Sequence, residues 1–202
     1  MPRGRTKGDH SAKRVQIAEA ACKVFLRLGL GRTSLADIAR EMGYTTGVLR
    51  HYFADRDELL LYAKNLLFDR SYARAEGAAA TRVGLEKLRA MAVELLPTSP
   101  EAIDGYRLLA MFNGNAIGEP RLMKLQERRN DRHARLLGGI IGALQKEGIL
   151  PKNLDSRFEA AGLLALIDGL AEQLVMRSRG WSRDALVSLL NRHIESLSRT
   201  PH

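Results

Sequence analysis

The chain has 202 residues, 45% of them hydrophobic and 27% charged, with 32 Lys and Arg against 23 Asp and Glu for a formal charge of +9. That balance suits a folded globular protein and excludes wholesale disorder. A single cysteine, Cys22, excludes an intramolecular disulfide and any zinc site built on two thiolates. The opening residues are polar and basic with no apolar run behind them, so no secretory signal is expected. The most apolar stretch, 162–175, carries Asp168 and Glu172 and is too short to cross a bilayer. We therefore expect a cytoplasmic protein without a membrane partner. Residues 1–57 carry a net +5 and the other 145 a net +4, so the basic excess is concentrated at the front. This asymmetry implies two modules, the first facing an anionic partner.

In chain order, nearly every segment reads as helix. Residues 13–28 place Ile17, Ala21, Val24, Phe25 and Leu28 on one face, and Gly29 and Gly31 end the run. Cys22 lies beside that stripe and reads as a buried, inert thiol. A short helix fits 34–42, capped by Ser34, with Asp37 in its first turn and Leu35, Ile38, Ala39 and Met42 inward. Gly43 ends it, and a third helix over about 46–52 buries Leu49 and Phe53. Asp55 and Glu58 resemble a capping box that opens a fourth helix to about residue 73. A looser Ala, Gly and Arg stretch follows over 74–84. Helical patterns then resume at 84–96, 100–117, 119–147, 155–177 and 182–198, with Pro97, Pro100, Pro120 and Pro151 in the gaps. No segment alternates, so the expected fold is all-α with about nine helices.

The informative element is 34–53, where two short amphipathic helices flank a tight glycine-containing turn. In that geometry the second helix can enter a DNA major groove. Its outward or edge positions are Thr45, Thr46, Gly47, Arg50, His51 and Tyr52. They offer a cation, hydroxyls, an imidazole and an unobstructed backbone, the groups that hold phosphates and read base edges. The segment resembles the DNA-binding domain of TetR-type transcriptional regulators over roughly 13–62. The likeness is carried by Ile17-Ala-Glu-Ala-Ala, Ser34-Leu-Ala-Asp-Ile-Ala, Thr46-Gly, His51-Tyr-Phe and Asp57-Glu-Leu-Leu. The resemblance implies that these outward residues contact DNA and that Arg56, at the start of the fourth helix, touches phosphate. Ser34 joins the expected DNA-binding set. The chain departs from the family in Arg50, where an aromatic is commoner, and in Tyr44, where a small aliphatic is. We expect three parts: a basic arm over 1–12, a helix-turn-helix domain over 13–57, and a larger helical domain over 58–202.

In the larger part, 158–176 is apolar on two faces. One carries Leu163, Leu166, Ile167, Leu170 and Leu174; the other is made mostly of small residues, Ala161, Gly162, Ala165 and Gly169, after Phe158. A helix apolar on two sides needs burial on both, and the second side suits another copy of the chain. Ala161, Ala165 and Gly169, with Leu186 and Leu190 of the last helix, are the expected dimerisation residues. Residues 121–177 also resemble the C-terminal domain of BetI-type members of the TetR family. The carriers are Arg121-Leu, Glu147-Gly-Ile-Leu and Ala165-Leu-Ile-Asp-Gly-Leu-Ala; aromatic residues are few here, so choline is not carried over. Within 106–117, Asn113 and Asn115 interrupt an apolar helix beside Met111 and Phe112. These four are the expected lining of a site for a largely apolar effector with at least one hydrogen-bonding group.

No catalytic, metal or cofactor site is expected. The histidines at 10, 51, 133, 193 and 202 make no metal-ligand spacing, and there is no glycine-rich phosphate loop. The sequence reads as a homodimeric regulator, a repressor released from a palindromic operator by a small molecule. The competing reading is a constitutive architectural DNA-binding protein with no effector.

Overall fold

The computed structural model describes residues 7–176 and 181–199. Among these it contains nine α-helices and one 3₁₀ turn, with no strand. The helices are α1 (Lys7–Leu28), α2 (Leu35–Glu41), α3 (Thr46–Arg50), α4 (Arg56–Ala80), α5 (Gly84–Leu95), α6 (Pro100–Ala116), α7 (Pro120–Lys146), α8 (Ser156–Val175) and α9 (Arg183–Leu197). The 3₁₀ turn spans Leu30–Arg32 between α1 and α2.

The helix starts follow from local chemistry. Ser34 Oγ accepts the Asp37 amide at 3.2 Å while the Ser34 amide donates to Asp37 Oδ2 at 2.9 Å, a reciprocal capping box. At α4 the Glu58 amide donates to Asp55 Oδ1 at 2.7 Å, and Glu58 Oε2 accepts the Ala54 amide at 2.7 Å. Ser99, Asp155 and Ser182 cap α6, α8 and α9 by accepting first-turn amides, and Pro100 and Pro120 fill first-turn positions where no amide partner is lost. Gly43, at φ +67°, makes the left-handed turn between α2 and α3 that a side chain would strain.

Two boundaries differ from the sequence expectation. Helix α1 begins at Lys7, so residues 7–12 of the expected arm are helical, while Arg3 and Arg5 lie outside the described residues. Helix α4 runs on through the Ala, Gly and Arg stretch to Ala80. Phe68, Tyr72, Ala75 and Ala79 form a buried stripe there, in which small residues do the work of large ones.

The chain divides into two compact units. The first comprises residues 1–69 with 107–112, the second 70–106 with 113–202. The first unit's core gathers Ile17, Val24 and Phe25 of α1, Ile38 of α2, Leu49 and Phe53 around α3, and Leu59 of α4, together with Leu108 and Phe112. The second unit's core joins the end of α4 to α5, α7, α8 and α9 through residues such as Leu88, Met91, Ile141, Leu163, Ile167 and Leu190. Burying each such side chain stabilises the fold by roughly 1.5–3 kcal/mol before entropy is counted. Around the second core, Arg89 pairs with Glu195 at 2.9 Å and Arg74 with Glu94 at 3.1 Å.

Candidate nucleic-acid interface

The first unit turns one face of α3 outward. Leu49 points in and is fully buried, while Thr45, Gly47, Arg50 and His51 are exposed and Thr46 is half-buried. Among the described residues nothing hydrogen-bonds or ion-pairs with the Arg50 guanidinium, which leaves its five donors available to an outside partner. An added Cβ at Gly47 would meet only Thr45 Oγ1, at 3.8 Å. The fold therefore does not require glycine there, and its effect is to keep the backbone bare on the outer side. Val48, 39% exposed, adds an apolar contact surface that the sequence reading did not single out.

Ser34 sits at the α2 start, where its hydroxyl donates to Asp37 Oδ2 at 2.6 Å as well as accepting the Asp37 amide. Its hydrogen bonding is spent within the fold. The Ser34 hydroxyl first, and then the Ser34 amide, hold the Asp37 carboxyl below the ordinary aspartate range.

One expected contact, Tyr52, sits differently from the sequence reading, and a second, Arg56, lies at the expected helix start with partners inside the fold. Tyr52 is not outward: it is 4% exposed and belongs to the first unit's core. It follows Leu49 by three residues on the inward side, and its ring lies 4.9 Å from His10 and 5.1 Å from His51. Arg56 is half-buried, donating to the Leu30 carbonyl in the 3₁₀ turn and to Asp57 at 2.9 Å. It ties the start of α4 to the loop before α2.

The turn into α3 holds a pair that local spacing could not reveal. Lys13 of α1 donates to the Tyr44 hydroxyl at 2.6 Å and lies 4.7 Å from the centre of its ring. The two residues are 31 positions apart, beyond the reach of helical periodicity.

In the second unit, Ala161, Ala165 and Gly169 are exposed along α8, with Phe158 and Met176 each 72% exposed at its two ends. Nothing lies within 4 Å of a Cβ built at Gly162 or Gly169. Leu186 and Leu190, also in the expected dimerisation set, are instead wholly buried in this chain's own core, which corrects their expected place on an outer face. The apolar stripe of α9 serves α5 and α8 of the same chain. The Tyr106 hydroxyl donates to the carbonyl of Asp168 in α8 at 2.9 Å. Burial, and then the Asp168 and Glu172 carboxylates, push the tyrosine's pKa well up and keep it a proton donor.

The expected effector residues do not come together as a cavity. Asn113 and Asn115 are exposed, and Met111 and Phe112 pack on the first unit's core. The helix stripe is real, but it serves that core. The second unit instead has a groove of about 460 Å³ between the end of α4, α5 and α7, whose lining includes Ala79, Met91, Leu136, Ile140, Ala143 and Leu144. Arg82, Lys87, Arg135, Glu76 and Glu147 also line it, and among the described residues no aromatic one does. Among the described residues no cluster of metal-ligating side chains occurs, and no helix is long and apolar enough to cross a membrane.

A capped two-helix turn presenting an unpaired arginine, joined to a larger helical unit, defines a helix-turn-helix DNA-binding regulator. Residues 17–63 match the family of bacterial regulatory proteins of the tetR type, and residues 84–199 match the C-terminal domain of BetI-type transcriptional repressors. The HTH-type transcriptional regulator PksA of Bacillus subtilis is 31% identical over 94% of this chain and 91% of its own. The regulator BetI of Burkholderia mallei is 30% identical over 94% and 95%. A transcriptional regulator from Saccharomonospora viridis, solved in complex with choline, superposes with a TM-score of 0.83 at 27% identity, covering 92% of this chain and 96% of that one. The chain belongs to the TetR family, with a C-terminal domain of BetI type, and is a transcriptional regulator. Its relatives are regulators and not enzymes.

Proposed function

We propose that the protein is a repressor that holds a palindromic operator as a homodimer and releases it when a small molecule binds. The observation that carries this reading is the exposed face of α3, with Arg50 unpaired and Thr45, Thr46, Gly47 and His51 around it. A reader of this kind docks as a twofold pair on a twofold site. The exposed small-residue face of α8, between Phe158 and Met176, supplies a surface for the second copy, because small side chains let helix backbones approach closely. Each expected effector must bind the DNA-free form more tightly, since a ligand with equal affinity for both forms shifts nothing.

The groove between α4, α5 and α7 suits an effector with an apolar body and at least one polar group. Its apolar lining takes the body, and Arg82, Lys87 and Arg135 can fix the polar end. The Saccharomonospora viridis regulator was solved with choline. This groove has no aromatic wall for a quaternary ammonium ion, which favours a different ligand here.

The constitutive architectural reading is favoured by one observation, the exposure of Asn113 and Asn115. One experiment separates the two. Duplexes selected by the protein from a random pool are titrated by fluorescence anisotropy, with and without a panel of amphipathic metabolites. The repressor reading expects a palindromic consensus and release by at least one compound. Tight binding that no compound weakens leaves the architectural reading, and a non-palindromic consensus removes the twofold mechanism.

A further inference from the structure

Tyr44 stands in the turn immediately before Thr45, the residue that caps α3, and is 38% exposed. Its hydroxyl accepts a hydrogen bond from the Lys13 ammonium at 2.6 Å, so its own hydrogen is directed away from that cation. Among the described residues no acceptor takes that hydrogen. Lys13 has three donors. One goes to Tyr44 and one to Gln16 at 3.2 Å, and no described carboxylate pairs with it. Two donors therefore stand uncommitted beside the start of the recognition helix, one neutral and one cationic. An ammonium bound to a hydroxyl oxygen polarises the O–H and makes it a stronger donor. An anionic oxygen is the acceptor that would use both donors at once.

We propose that Tyr44 and Lys13 form a DNA-backbone contact beside α3. Tyr44 donates its hydroxyl hydrogen to a phosphodiester oxygen, and Lys13 supplies the opposing charge. The assignment rests on DNA reading by α3. Tyr44 stands in the turn before α3, and its hydroxyl holds Lys13 of α1 at that same edge. Phosphate contacts fix register without reading sequence, so the pair adds affinity to every duplex alike.

The test compares the full-length protein with Tyr44→Phe, Lys13→Met and Lys13→Arg on its selected duplex and on an unrelated duplex of equal length, over a salt series. Tyr44→Phe keeps the ring under Lys13 and removes the donor. It is expected to weaken both duplexes by the same factor, roughly tenfold, with the salt slope unchanged. Lys13→Met should weaken both and lower the salt slope by about 1 for each bound chain, whereas Lys13→Arg should keep the slope. Thermal melts of all four proteins, run alongside, confirm that binding is compared among folded chains. Affinities and slopes equal to the parent's would overturn the proposal. A loss confined to the selected duplex with an unchanged slope would also overturn it, because the pair would then act only by positioning α3. A parent that binds neither duplex removes the DNA-reading role itself, an outcome distinct from either.

Discussion

Arg50 is the last residue of α3, exposed and with no partner among the described residues, so its truncation should show its role directly. Arg50→Ala is expected to relax the preference at one base pair per half-site, a loss of about 1–3 kcal/mol in discrimination. Sequence selection by the variant from a random pool checks it, and an unchanged consensus would remove Arg50 from base reading. Ser34 acts through the fold instead. The box it makes with Asp37 favours the carboxylate, whose folded-state pKa lies below its unfolded value. Its contribution is thus complete above the ordinary aspartate range and is lost as pH falls through the depressed value. Ser34→Ala should lower the melting temperature at pH 7 by a few degrees and flatten the acid limb of the stability curve. A parallel downward shift at every pH would contradict that coupling. The residue roles legible in sequence were those fixed by local spacing, such as Leu49 inward, Arg50 outward and Ser34 with Asp37 at a helix start. The burial of Tyr52 and the bond from Arg56 to the Leu30 carbonyl were not legible, because His10 and Leu30 are distant in sequence.

Helices were legible wherever large apolar residues or caps punctuate them: all nine expected helices occur among the described residues, with the start of α1 and the end of α4 displaced. The end of α4 escaped because its inward stripe beyond Tyr72 is alanine, which carries little hydropathic contrast with its neighbours. Leu186 and Leu190 show a related ambiguity: a helical stripe announces burial without saying against what. Glycines in α7 and α8 discriminate further. A Cβ at Gly138 would come 3.3 Å from the Ser156 carbonyl oxygen and 3.7 Å from Ala160 Cβ, so α7 and α8 approach closely there. At Gly142 nothing lies within 4 Å. Gly138→Leu should therefore destabilise by about 1–3 kcal/mol, whereas Gly142→Ala should stabilise by up to about 1 kcal/mol. Urea unfolding of both variants checks this pair, and equal effects would deny the close crossing. Gly169 is open in the single subunit, so Gly169→Arg should fold normally yet sediment as a monomer, since an unpaired charge at a closed interface is costly. An intact dimer in that variant would move the proposed interface off α8.

At the scale of the whole molecule, an effector acting with a typical coupling of about 1–3 kcal/mol should loosen the operator about 5- to 150-fold. Linkage makes the effect reciprocal, so operator DNA must weaken effector binding by the same factor. Calorimetric titration of effector into the free and the DNA-bound protein checks this, and equal affinities would exclude allosteric release. The division of the chain carries a different consequence, one for recombination. The first unit ends at Asp69 inside the uninterrupted helix α4, and it takes in residues 107–112 of α6. None of the three crossings, at 69/70, 106/107 and 112/113, falls in an exposed loop, so limited proteolysis has no linker to cut between the units. A fragment stopping at Asp69 would uncover the apolar surface that Leu108 and Phe112 bury. Exchanging DNA-reading heads between members of this family therefore cannot be a matter of one crossover: the transplanted head must bring a matching six-residue piece of α6 with it.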